Sequence, residues 1–137
     1  MIKSLDHINL SVKNYQESLQ WYQELFDFTE VEKGEYSGRV FGIIKSGAAM
    51  LCMYEDPSRD FMSADQLKKQ KIHGINHFAL RIIDHDEFEN RIKQQDIKVK
   101  FGGAYRYPHS TSWYIADPTG YEIELVKWDA DEIRFNK

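Results

Sequence analysis

A chain of 137 residues is within the usual range of one domain and buries roughly two-thirds of its unfolded surface, and 42% hydrophobic with 29% charged residues excludes a disordered chain. A net charge of -4 draws no polyanion, so nucleic acid is not an expected partner, and the run Lys68-Lys69-Gln70-Lys71 reads as a solvated face. Cys52, the single cysteine, lies in an apolar run and reads as a buried thiol; with no membrane-length apolar run and no signal-peptide region at Met1–Ser4, the expectation is a cytoplasmic protein without a membrane partner.

In chain order, Leu5 to Val12 alternates as a half-buried strand, with Ile8, Leu10 and Val12 on one face and Leu5, His7, Asn9 and Ser11 on the other. Asn14 with Glu17 three residues later predicts a capped helix start, and Tyr15, Leu19, Tyr22 and Phe26 give the helix one apolar stripe. Gly34 to Gly38 reads as a turn, Arg39 to Ile44 as a strand, Lys45 to Gly47 as a tight turn and Ala48 to Tyr54 as a strand. A linker over 56–73 follows, with a short helix expected between Ser63 and Lys71. Ile75 to Ile82 then repeats the opening strand, with His77 in the place of His7, and Asp84 with Glu87 repeats the cap, followed by Phe88 and Ile92. Lys98 to Phe101 reads as a short strand broken by Gly102-Gly103, Ser112 to Ala116 as a strand, Asp117-Pro-Thr-Gly120 as a turn and Tyr121 to Lys127 as the last strand.

His7 to His77 and Asn14 to Asp84 both span 70 residues. An interval shared by strand, cap and helix marks an internal duplication. The predicted fold class is therefore α+β: two tandem βαβββ modules (about 3–55 and 74–128) within one domain, forming curved mixed sheets around a central cavity. Aromatic residues, at 14%, either fill the core or line that cavity.

Alternation turns both histidines away from the helix faces, and on the last strand Glu122, Glu124 and Val126 share a face. Two neutral imidazoles and one carboxylate hold a divalent first-row metal while leaving positions open for water or substrate. A lone strand histidine is more often a surface side chain than a ligand. The duplicated setting is what raises His7 and His77, with Glu124, to candidate ligands; His73 and His85 lack it and read as solvated.

The two openings DHINLSV and INHFALRI, the helix NYQESLQWYQELFDF and the ending WYIADPTGYEIELV resemble the vicinal oxygen chelate superfamily over nearly the whole chain. That superfamily includes glyoxalase I, fosfomycin-resistance thiol transferases, extradiol ring-cleaving dioxygenases and bleomycin-binding proteins. The resemblance implies a metal site of His7, His77 and Glu124, rather than Glu122, in a cup of curved sheet. It also implies a homodimer, with the site within one chain or shared between two. Glyoxalase I members use a fourth ligand, a glutamate, on the strand that ends the first copy. Here that position falls near Leu51 or Met53, and Glu55, further along the same face, reaches it only through a register shift. The absent glutamate points to members with three protein ligands. MLCMYEDP resembles the corresponding strand of the thiol transferases, but Asn9 stands where they carry threonine, and their potassium-binding loop is not evident.

Tyr114 lies ten residues before Glu124, a spacing found in the dioxygenases and the thiol transferases. It is a candidate catalytic residue, or else a wall of the core or cavity. His109, in a loop-like segment, is a weaker candidate as acid or base near neutral pH, set against a solvated loop histidine. The expected function is a divalent-metal enzyme (iron, manganese, nickel or zinc) that binds two adjacent oxygens of a small substrate and stabilises developing negative charge. Lyase, isomerase, thiol transferase and ring-cleaving dioxygenase chemistry all suit that description. The alternative is a non-catalytic small-molecule or drug-binding protein of the bleomycin-resistance type.

Overall fold

The computed structural model describes residues 1–135. They form two compact units, Met1–Phe61 and the residues from Met62 onward.

In the first unit, β1 (Ile8–Val12) leads into α1 (Tyr15–Phe26), followed by β2 (Thr29–Tyr36), β3 (Arg39–Ser46) and β4 (Ala49–Glu55). The sheet order is β1-β4-β3-β2, with β1 parallel to β4 and the other neighbours antiparallel. Asn14 caps α1 by accepting a hydrogen bond from the Glu17 amide at 2.8 Å. Tyr15, Leu19, Tyr22 and Leu25 are buried on the inner helix face, and Leu10, Val12, Ile44, Leu51 and Met53 on the sheet face that takes them. Leu25, not the expected Phe26, closes the stripe. Fully burying a side chain of this size stabilises by about 1.5–3 kcal/mol, so this layer dominates the unit.

The second unit repeats the plan. It runs α2 (Ala64–Lys69), β5 (Phe78–Arg81), α3 (His85–Gln94), β6 (Tyr105–Tyr107), β7 (Ser110–Ala116) and β8 (Glu122–Trp128), with sheet order β5-β8-β7-β6 and β5 parallel to β8. Asp84 caps α3 through the Glu87 amide at 2.9 Å, and Phe88 meets the Trp113 ring edge-on at 5.6 Å above Ile115, Ile123 and Leu125. The α+β class, the two βαβββ repeats and the linker helix are as the sequence predicts.

Three local expectations are corrected. Lys98 to Phe101 is not a strand: Phe101, Gly102 and Gly103 all have positive φ (56°, 83° and 119°), which no strand accommodates, and pairing begins only at Tyr105. The turn expected over Gly34 to Gly38 shrinks to Ser37-Gly38, both with positive φ as a tight hairpin requires, because β2 runs through Gly34. β2 is an almost wholly exposed edge strand, so it shows no apolar alternation to read. The repeated opening strands start one residue after each histidine, so His7 and His77 stand at strand entrances.

One glycine is fixed by packing. A Cβ on Gly42 would lie 1.8 Å from the Tyr15 hydroxyl, which donates to Glu30 at 2.5 Å. Gly42→Ala is expected to lower unfolding free energy by about 3 kcal/mol in denaturant titrations; a change below about 0.5 kcal/mol would show that the Tyr15 ring moves freely.

Asp56, just past β4, accepts from Ser58 at 2.6 Å and Arg59 at 3.0 Å and pairs with Arg39 at 2.6 Å. The Ser58 hydroxyl lowers its carboxyl most, burial pushes it partly back up, and the Arg59 and Arg39 guanidinium groups bring it down to about 2. With the folded-state value depressed, its contribution is complete above the ordinary carboxylate range and is lost as pH falls through about 2. Carboxyl-carbon NMR titration should find Asp56 among the last aspartates to protonate; a midpoint near 4 would refute the cluster.

Candidate functional site

The site is built on the face of the second sheet turned away from α3. Asp117 ends β7 and turns the chain, its carboxylate accepting from the amides of Thr119, Gly120 and Tyr121 at 3.0, 2.8 and 2.9 Å. That turn sets the β8 register: Ala116 opposes Glu122, Tyr114 opposes Glu124 and Ser112 opposes Val126, while the parallel partner β5 places Ala79 beside Glu124. Ile123 and Leu125 face α3, so Glu122 and Glu124 face away from it.

His77, at the mouth of β5, meets both carboxylates. Its Nε2 lies 3.0 Å from Glu124 Oε2 and its Nδ1 3.8 Å from Glu122 Oε1. The other Glu124 oxygen accepts from the Ser112 hydroxyl at 2.7 Å. Tyr114 presents its ring edge-on to His77 at 5.5 Å, and its hydroxyl lies 3.3 Å from that of Tyr107. Burial, then the Tyr107 and Glu124 contacts, raise the Tyr114 hydroxyl well above the ordinary phenol range. Lys100 bonds Glu122 Oε2 and, at 2.9 Å, Asp65 of α2. Burial opposes its charge, but the two carboxylates outweigh that and raise the ammonium. Beside this group a cleft of about 300 Å³ is lined by Asp65, Leu67, Ile75, His77, Phe101 and Glu122 among others.

Of the predicted residues, His77, Glu124 and Tyr114 therefore come together. His7, in the first unit, has its Nδ1 2.7 Å from the Asp6 carboxylate. Among the described residues, no group of three or more His, Cys, Asp or Glu side chains is placed to hold a metal ion. His109 is not near His77. Ser110 opposes Trp128 while Ala116 opposes Glu122, six residues up the same strands, or about 20 Å at about 3.3 Å per residue. The turn holding His109 is fixed by Arg106, which pairs with Asp129 at 2.5 and 2.6 Å. Ser112, Tyr107, Lys100, Asp65 and the Glu122 contact were missed. Alternation from Tyr114 could have placed Ser112 on the site face, whereas Lys100 and Asp65 carry no local signal.

The expected place of a fourth ligand is also corrected. Asn9 pairs with Cys52 as Ala79 pairs with Glu124, so the first-sheet counterpart of Glu124 is Cys52, not Leu51 or Met53. Leu51 and Met53 face α1, and Glu55 on that same face accepts from the Tyr15 amide at 2.8 Å, engaged at the helix start. Cys52 is a free, buried thiol whose pKa is raised, chiefly by burial.

A family model, the Glyoxalase/Bleomycin resistance protein/Dioxygenase superfamily, matches residues 4–125. The chain belongs to this superfamily. It is 24% identical over 127 residues to the metallothiol transferase FosB of Staphylococcus haemolyticus, covering 91% of this chain and 84% of that one. To the glutathione transferase FosA of Serratia marcescens it is 22% identical over 130 residues, covering 91% and 81%. Among solved structures, a glyoxylase/bleomycin resistance protein/dioxygenase domain from Frankia sp. EAN1pec superposes with a TM-score of 0.79 at 16% identity, covering 96% of both chains. A mutant of the fosfomycin resistance protein FosX of Listeria monocytogenes, complexed with Mn(II) and 1S,2S-dihydroxypropylphosphonic acid, gives 0.72 at 21% identity, covering 93% and 94%. These neighbours show the superfamily fold.

The hydroxyls of Tyr114 and of Tyr15 are both raised, burial being the first cause in each. Alkaline titration of tyrosine absorbance should therefore show two late-ionising groups, one lost in Tyr114→Phe and the other in Tyr15→Phe. An unchanged late step in Tyr114→Phe would contradict the site geometry.

Proposed function

We propose that this chain is a divalent-metal-dependent enzyme acting on a small substrate with two neighbouring oxygens, with His77 and Glu124 as two of its metal ligands. The observation that carries the reading is the 3.0 Å approach of His77 Nε2 to Glu124 Oε2. Two donors about 2.1 Å from one ion at a right angle lie about 3.0 Å apart, so the pair fits one edge of a coordination shell. An imidazole and a carboxylate suit manganese, iron, nickel or zinc alike, and the metal is left unassigned.

When bound, such an ion supplies Lewis-acid stabilisation of charge developing on a substrate oxygen. The protein does the rest. Ser112 holds one Glu124 oxygen and so aims the other at His77. Tyr114, with its hydroxyl proton held through neutral pH by burial and its neighbours, is suited to donate a hydrogen bond to a substrate oxygen beside that pair. The tyrosine and phenylalanine rings around it limit water. The similarity to FosB and FosA supports transferase-type addition to a small electrophile ahead of ring cleavage.

Elemental analysis after growth with manganese, iron, nickel and zinc supplied should find about one metal equivalent per chain, most of it lost in His77→Ala and in Glu124→Gln. Wild-type protein that stays metal-free under those conditions would remove the enzyme reading and leave the ligand-binding alternative.

A further inference from the structure

The cleft beside His77 has walls that the His77–Glu124 pair does not account for. Leu67 of α2, Ile72, Ile75 and Phe101 line it together with His77 and Glu122. Ile75 is 78% exposed, Phe101 67% and Ile72 47%. Single exposed apolar side chains are ordinary, but several converging on one hollow mark a place where a ligand is held. Phe101 stands out among them. Its φ is +56°, a left-handed conformation that glycine adopts freely and a bulky side chain does not, and Gly102 and Gly103 continue the turn. Its ring stands in solvent, edge-on to Tyr114 at 5.3 Å, with the Lys100 ammonium 5.4 Å from its centre. A strained backbone that holds an aromatic ring in water, between the cleft and Tyr114, points to a contact made with a bound molecule.

The α2 wall is firmly held. The Ser63–Gln66 capping box closes the start of the helix, the Ala64 amide donates to the Gly120 carbonyl at 3.2 Å, and past its end the Ile72 amide donates to the Leu67 carbonyl at 2.9 Å. Lys100 bonds both Asp65 and Glu122, so these two carboxylates share one cation and the aliphatic and aromatic groups are left to meet a ligand. Lys68, also on the wall, is exposed and keeps its ammonium in water. At about 300 Å³ the cleft has about twice the volume of an apolar cavity that takes up a benzene ring.

We propose that this cleft is the subsite for an apolar substituent of the substrate, an alkyl chain of about six carbons or a single aryl ring, carried beside the two oxygens that meet the His77–Glu124 pair. This rests on the proposed function only in placing those oxygens at that pair. His77 belongs both to the pair and to the cleft wall, so one small molecule can reach both. The substrate class is then hydrophobic at one end, and Phe101 and Ile75 are the residues that select it.

Two measurements separate the subsite from the metal reading. In metal-free protein, benzyl alcohol at millimolar concentration should shift the methyl NMR signals of Leu67, Ile72 and Ile75, with an affinity at least about threefold weaker in Phe101→Asn. In zinc-loaded protein, hydroxamates present two adjacent oxygens and are compared by calorimetry. Each methylene covered by the cleft should tighten binding about two- to fourfold, so hexanohydroxamate should bind at least about 15-fold more tightly than acetohydroxamate. That preference should fall at least about threefold in Phe101→Asn and in Ile75→Ser. Both positions are exposed and asparagine accepts a left-handed backbone, so the unfolding midpoints should stay near that of the wild type. Benzyl alcohol that shifts none of these methyls, or hydroxamates that bind zinc-loaded protein with no gain from chain length, overturns the subsite. Benzyl alcohol bound as stated in a protein that takes up no zinc would keep the subsite and remove the metal reading instead.

Discussion

The parallel pairing of β5 with β8 is the constraint on which the site depends. It is a short contact, four residue pairs from Phe78–Ile123 to Arg81–Val126, yet it fixes which β8 side chains His77 can meet. Because side chains alternate, a slip of one residue would turn Glu122 and Glu124 towards α3 and expose Ile123 and Leu125. Both of those are fully buried, so hydrophobic burial beneath the sheet enforces the polar arrangement above it. The Asp117 turn secures the same register from the other side, with three amides converging on one buried carboxylate.

The first sheet keeps the pairing and changes the chemistry. β1 lies beside β4 as β5 lies beside β8, but the position of Glu124 is taken by Cys52, a buried neutral group. Its neighbours across β3 and β4 are apolar or aromatic, with Phe41 stacked on Tyr54 at 5.2 Å. Glu55, the carboxylate nearest in sequence, is engaged at the start of α1. Duplication thus supplies two scaffolds, of which the second carries the carboxylates and hydroxyls around its histidine.

That second sheet also orders its polar groups by burial. Glu124 and Glu122 are both mostly covered, and each has a separate partner, Ser112 for one and Lys100 for the other. A partly buried carboxylate without such a partner would be costly. Satisfying the two by different groups leaves them chemically distinct although they are only two residues apart.

Much of the architecture follows from local sequence. The alternation in Leu5 to Val12 and Ile75 to Ile82, the caps at Asn14 and Asp84 and the Asp-Pro-Thr-Gly turn each act within a few residues, so they can be read from a string, and their common spacing of 70 reveals the repeat. Alternation likewise turned Glu124 and Tyr114 to the face that His77 shares. What the string does not carry is register between strands and contact across the fold. Cys52 as the counterpart of Glu124, Glu55 at a helix start and His109 at the far end of its sheet all follow from strand pairing, which is fixed by burial of the whole layer. Lys100 reaching both Asp65 and Glu122 joins residues 35 and 22 positions apart. The sequence by itself determined the repeat, the α+β class and the residue types of the site, because those depend on local periodicity and capping. Only the tertiary structure decided which oxygen of which glutamate meets which nitrogen of His77, because that depends on packing between strands distant in the chain.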